Sequence, residues 1–119
     1  MVGQRTIIAG SRSIRDFGMV CRAIEVSGFS VAEVVSGGAY GVDCLAERYA
    51  RLHRIPVRRF LPDWSRFGRS AGPRRNQQMV DYAGEAGQLI AVWDGRSRGT
   101  QHTIQMAQAS GLSVFVFRM

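Results

Sequence analysis

At 119 residues, with 45% hydrophobic and 21% charged residues, the chain is long enough for one globular core and too short for two. No apolar run approaches a membrane span and no long apolar leader is visible, which predicts a cytoplasmic protein without membrane contact. The net charge of +7 is carried by sixteen arginines and no lysine, and between 51 and 75 eight of them (51, 54, 58, 59, 66, 69, 74, 75) stand against one acid, Asp63. Arginine's planar fork suits phosphate and carboxylate, so one face is expected to attract polyanions or a phosphorylated ligand.

Taken in order, Arg5 to Ala9 reads as a first strand ending at Gly10-Ser11-Arg12. A helix follows from about Asp16, with Phe17, Val20, Cys21 and Ile24 at helical spacing and a stop near Gly28. Ser13 with Asp16 three residues on resembles a capping box. Ala32 to Ser36 reads as the second strand and runs into Ser36-Gly37-Gly38-Ala39-Tyr40-Gly41. The second helix then carries Val42, Leu45, Ala46, Tyr49 and Leu52 on one face and ends before Pro56. Val57 to Leu61 is the third strand, and its paired arginines suit a sheet edge. Pro62 to Pro73 reads as a long functional loop. A third helix runs from about Pro73 to Ala83, with Asn76, Met79, Val80 and Ala83 inward and Pro73 in its first turn.

Leu89 to Trp93 is continuous enough to be a central strand. After Asp94-Gly95-Arg96-Ser97-Arg98-Gly99-Thr100 comes a helix to about Ser110, and Ser113 to Phe117 is a fifth strand. This alternation predicts an α/β fold: five parallel strands with helices on both faces, in the order 3-2-1-4-5. Cys21 and Cys44 fall on apolar helical stripes and are expected to be packed, reduced thiols.

Ligands of doubly wound sheets bind beyond the carboxyl ends of the strands where the order reverses. Here that rim gathers Gly10-Ser11-Arg12, the 36–41 turn and the 94–100 turn. Ser36-x-Gly38-x-x-Gly41 is one residue short of the dinucleotide fingerprint, with Ser for the first Gly, and leads into a helix whose free N–H groups favour phosphate. Arg12 is a candidate anion clamp, and Asp63, about twenty residues on, or Asp94 could accept from a ribose or base. No Walker sequence is present, no serine sits in a nucleophile elbow, and His53 and His102 lack the neighbours zinc needs, so no metal is expected. Trp64 and Trp93 bracket the rim, either packed or offered to a base.

Four motifs in order resemble the SLOG superfamily in its YspA-like branch: Gly10-Ser11-Arg12; Ser36-Gly37-Gly38-Ala39-x-Gly41-Val42-Asp43-x-x-Ala46; Ala71-Gly72-Pro73-x-Arg75-Asn76-x-x-Met79; and Trp93-Asp94-Gly95-x-Ser97-x-Gly99-Thr100. The resemblance implies a Rossmann-like three-layer domain over residues 1–119 that binds nucleotides or their derivatives. It points to a setting of phage or mobile-element conflict, with distant similarity to the Lonely Guy phosphoribohydrolases, the DNA-processing protein A family and sensors of cyclic ADP-ribose-type signals. It adds Ala39, Asp43, Arg75 and Asn76 to the candidate set, beside Gly95, Ser97, Gly99 and Thr100. The phosphoribohydrolases carry a glutamate three residues after Gly-Thr, and here that position is Thr103. A threonine cannot supply that carboxylate, which favours binding over turnover and leaves Asp43, Asp63 or Asp94 as the carboxylates available for catalysis.

The expectation is a module that senses or sequesters an ADP-ribose- or NAD-type molecule and needs no other cofactor. A nucleotide N-glycosidic or phosphate hydrolase is the alternative. Single-stranded nucleic acid on the arginine segment is a further one. A homo-oligomer, as a dimer, is expected, with 64–83 shaping either the contact or the neighbour's pocket.

Overall fold

In the computed structural model, which describes residues 3–119, five parallel strands form one sheet in the order β3-β2-β1-β4-β5. The strands are β1 (Gln4–Gly10), β2 (Val31–Ser36), β3 (Val57–Arg59), β4 (Gln88–Trp93) and β5 (Ser113–Arg118). The helices are α1 (Phe17–Ser27), α2 (Val42–Leu52), α3 (Trp64–Phe67), α4 (Ala71–Ala83) and α5 (Arg98–Ala109). The side-chain alternation of a strand sorts the core into two layers. Ile7, Ala9, Val35, Leu89 and Ala91 meet Met79, Val80 and Ala83 of α4 and Ile104 and Ala107 of α5. Ile8, Val34, Ile90 and Val92 meet Val20, Ala23 and Ile24 of α1 and Val42, Ala46 and Ala50 of α2. Strands β1 and β4 lie at the centre and are buried on both faces, which is why their sequences read as continuous apolar runs.

Several expectations are corrected. The capping box at Ser13 does not form: Asp16 is itself the N-cap of α1 and accepts from the Met19 N–H at 3.3 Å. Strand β3 has three exposed residues rather than five, because only Val57 to Arg59 are in register with β2. The expected 62–73 loop is largely helical. Asp63 caps α3 by accepting from the Arg66 N–H at 3.2 Å, a 3-10 turn over Gly68–Ser70 follows, and α4 begins at Ala71. Pro73 is therefore the third residue of α4, where its missing N–H still has no intrahelical acceptor to lose.

Helix α2 is rotated from its apolar reading. Its buried residues are Val42, Asp43, Ala46, Glu47 and Ala50, which leaves Cys44 and Leu52 exposed. Two carboxylates take buried places that the hydrophobic pattern could not assign to them. Among the described residues no helix is long and apolar enough to cross a membrane.

Candidate functional site

The carboxyl ends of β1 and β4 part where the chain winds off to opposite sides, and a polar cleft of about 410 Å³ lies there. Ser11 closes its floor. Its N–H donates to the Val92 carbonyl at 3.1 Å and its buried Oγ accepts from the Asp94 N–H at 3.1 Å, so one residue ties together the loops that follow both strands. From α5, Ser97 caps the helix by accepting from the Thr100 N–H at 3.3 Å, and the two hydroxyls lie 2.9 Å apart. Thr100 and Thr103, one turn apart, present two buried side chains beside the cleft, and the Thr103 hydroxyl donates to the Gly99 carbonyl at 3.0 Å.

The opposite wall comes from α2 and α4. Asp43, in the first turn of α2, is 6% exposed and accepts from the Ala39 N–H at 3.2 Å. Burial pushes its carboxyl up to about 6, against the Ala39 hydrogen bond and the Arg75 and Arg12 guanidiniums, which oppose the shift. Arg75 of α4 donates to the Gly37 carbonyl at 2.6 Å and, through Nε, to Asn76 Oδ1 at 2.9 Å. A Cβ on Gly37 would collide with that guanidinium and lie 2.8 Å from Asp43 Oδ2, so only glycine lets the two charged groups approach the loop. Burial lowers the Arg75 pKa; Asp43 resists the shift and Arg12 reinforces it. Arg12 makes no side-chain hydrogen bond or ion pair among the described residues and is exposed at the cleft mouth.

On the far side, Asp94 takes hydrogen bonds from the Arg96 N–H at 2.8 Å and the Ser97 N–H at 2.9 Å, and these hold its carboxyl below the usual carboxylate range. The Trp93 indole N–H donates to the Ser97 carbonyl at 3.0 Å, which fixes the end of the same turn.

Of the residues singled out in the sequence, Gly10, Ser11, Arg12, Ala39, Asp43, Arg75, Asn76, Asp94, Ser97, Gly99 and Thr100 line this one cleft. Gly37 and Gly38 line an adjoining cavity, and Gly41 lines another on the far side of Arg12. Gly95 lies against the Arg118 side chain outside the cleft lining. Asp63 is exposed on the α3 cap, also outside it.

Ser36 is buried beneath the turn, where its hydroxyl donates to Glu47 at 2.7 Å and accepts from the Gly38 N–H at 3.1 Å. Glu47 also takes a two-point bond from Arg59, with Nε at 3.0 Å and Nη2 closer still. Burial would raise the Glu47 pKa, yet the hydrogen bonds from Arg59 and Ser36 outweigh it and the carboxyl is lowered. Sequence reading missed this Ser36–Glu47–Arg59 network, whose one visible sign is that Glu47 follows Asp43 by one helical turn. It also missed Ser13 and Met79 in the cleft lining, the latter sharing a helix face with Arg75 and Asn76. Three or more His, Cys, Asp or Glu side chains in metal-binding array occur nowhere among the described residues.

Comparison with known proteins adds the ancestry. Residues 4–67 match the model of the YspA, cpYpsA-related SLOG family. Across an alignment of 130 positions that spans 96% of each chain, the sequence is 33% identical to the Gene 61 protein of Mycobacterium phage D29. No solved structure matches.

Proposed function

The chain belongs to the YspA, cpYpsA-related SLOG family, and from that premise we propose that its cleft binds a nucleotide or nucleotide derivative of the ADP-ribose or NAD type, holding it rather than converting it. One observation carries the reading. Two guanidiniums, Arg12 and Arg75, line the same cleft, where their like charges repel, and Arg12 makes no ion pair among the described residues. An anion between them relieves that repulsion and gains charge-assisted hydrogen bonds. The Ser97 and Thr100 hydroxyls at the start of α5 add neutral donors and a favourable helix dipole, while Asp43 and Asp94 offer acceptors for ribose hydroxyls.

A thermal-shift panel of nucleotides, with mass spectrometry of what the purified protein releases on heating, tests this. A ligand at one hundred times its dissociation constant adds about 2.7 kcal/mol of stability. Failure of every phosphorylated nucleotide to stabilise the protein would sink the reading.

One observation supports hydrolysis as a second reading. Asp43, with its pKa raised to about 6, is the carboxyl in the cleft able to hold a proton near neutrality and deliver it to a leaving group. Thr103 stands where the related phosphoribohydrolases keep a glutamate, so Asp43 would have to act without it. Free base released from nucleoside monophosphates or NAD by the wild type and not by Asp43→Asn would establish turnover.

A further inference from the structure

The polar cleft adjoins a second cavity of about 490 Å³, and the two share Arg12, Ala39 and Arg75. Its remaining wall is mostly apolar and aromatic: Tyr40, Leu61, Pro62 and Trp64 close around the glycines of the 36–41 turn. Tyr40 is 84% exposed, Leu61 64% and Trp64 52%, a concentration of large apolar surface in one hollow that folding alone does not explain. Nor is the hollow a floppy edge. Leu61 lies against Gly38, the Trp64 ring edge lies beside Gly72, and Trp64 is the first residue of a helix capped by Asp63. No acidic residue lines it, and its charged members are the two arginines of the polar cleft.

A partner for this wall therefore carries a flat apolar group and an anionic group side by side. A lipid chain has no use for an indole set beside two guanidiniums, whereas a nucleobase stacks on aromatic faces and brings phosphate with it. We propose that this second cavity is the base subsite of the nucleotide ligand, with the base against Trp64 and Tyr40, the phosphates between Arg12 and Arg75, and the next sugar in the polar cleft. The ligand class is then a nucleoside diphosphate extended by a second sugar, not a mononucleotide. The inference rests on the nucleotide-binding reading above and adds to it the place of the base.

Calorimetric titration of ribose 5-phosphate, AMP and ADP-ribose into the wild type, Trp64→Ala, Trp64→Phe and Tyr40→Ala tests it. ADP-ribose is expected to bind tightest of the three. Trp64→Ala is expected to weaken ADP-ribose at least tenfold, as loss of a stacking platform does, and to leave ribose 5-phosphate unchanged. Trp64→Phe keeps a stacking face and stays within about threefold of the wild type. Tyr40 is so exposed that its truncation leaves the core intact, and Tyr40→Ala is expected to weaken ADP-ribose selectively even if Trp64→Ala folds poorly.

Three results would overturn the inference while leaving the nucleotide reading in place. One is ribose 5-phosphate binding as tightly as ADP-ribose. Another is equal weakening of both ligands by Trp64→Ala. The third is conversion of a dimer to a monomer by Trp64→Ala in light scattering with ADP-ribose affinity unchanged, which would assign the cavity to a second copy of the chain. If none of the three ligands binds the wild type, the nucleotide reading fails and the base subsite with it.

Discussion

Two glycine-containing turns, one after β2 and one after β4, each bring an aspartate to the same cleft, and the two carboxyls are driven in opposite directions. Asp43 is carried inward by the first turn of α2. It has one backbone hydrogen bond, at 3.2 Å from Ala39, and its burial outweighs the help of two nearby arginines, so its pKa rises to about 6. Asp94 sits before its helix, takes two shorter backbone hydrogen bonds at 2.8 and 2.9 Å, and has its pKa lowered. Chemical identity and nearness to a helix start are common to both; solvent access and the number of N–H groups aimed at the oxygens are what differ. The glycines diverge in the same way. Gly41 has φ 78 and ψ −130, and a Cβ there would lie 2.5 Å from the Ser11 carbonyl oxygen. Gly99 is an ordinary helical residue with open space around it. The first turn is a tightly determined part of the frame, and the second is a surface cap.

The sharpest test is therefore Gly41→Ala, expected to cost about 2–4 kcal/mol through backbone strain and collision with the loop after β1, measured by urea unfolding. In contrast, Gly99→Ala should change stability by less than about 1 kcal/mol and in the stabilising direction, since alanine is the better helix former. Equal costs at the two positions would break the comparison.

Next in size is the pH dependence. Asp43 binds its proton more tightly folded than unfolded, so its contribution favours the folded state at low pH and is lost as pH rises from about 4 through about 6. The tighter hold on that proton corresponds to about 3 kcal/mol between the two ends of the window. Asp43→Asn keeps an acceptor for Ala39 and removes that slope, so the variant gains stability on the wild type at pH 7.5 and not at pH 4. Asp94 and Glu47, both lowered, act with the other sign: their contributions are present above the ordinary carboxylate range and are lost as pH falls through it. Denaturant midpoints of wild type, Asp43→Asn and Asp94→Asn at half-unit steps from about pH 2 to about pH 8 separate the two windows.

A smaller effect is expected at the cap of the second turn. Ser97→Ala removes the acceptor for the Thr100 N–H and should cost about 1 kcal/mol, with the indole of Trp93 still bonded to the residue-97 carbonyl. The smallest concerns the basic flank. Its arginines are largely occupied: Arg58 stacks over Phe60 and Tyr82, Arg66 and Arg74 over Phe67, and Arg59 is held by Glu47. Arg66→Ala with Arg69→Ala should then shift nucleotide affinity by less than about twofold, with a shallow salt dependence. A surface tracking several phosphates of single-stranded DNA would instead lose affinity with a slope of about −0.7 per contact.

Much of the frame was legible because strands and helices announce themselves by period. The runs Thr6 to Ala9, Val34-Val35 and Leu89 to Val92 required buried strands, and Val20 with Ile24 or Met79 with Ala83 required helices against them, which fixes the layers and leaves few orders for the sheet. The loops at the cleft were legible for a related reason: glycine, serine and threonine cluster where a strand must turn sharply into a helix. Other features were not. Asp63 stood at the spacing of a ribose acceptor, yet it caps a four-residue helix, because a carboxylate before a free N–H satisfies a local need first. Cys44 and Leu52 looked like core and face solvent, while Asp43, a candidate for the site, and Glu47, which nothing in the pattern had singled out, take the buried places on that helix.

The sequence by itself thus determined the alternation of the five strands with the four longer helices, the two-layered core and the polar character of the rim, since all three follow from periodicity and composition within short windows. Only the tertiary structure decided which carboxylate is buried and which is solvated, that Arg75 reaches across 38 positions to the Gly37 carbonyl, and that Trp64 and Tyr40 share one hollow with it. Those outcomes depend on distances between segments remote in the chain. A desolvation or a cross-chain hydrogen bond has no signature in the local pattern, and it exists only once the sheet has brought the loops together.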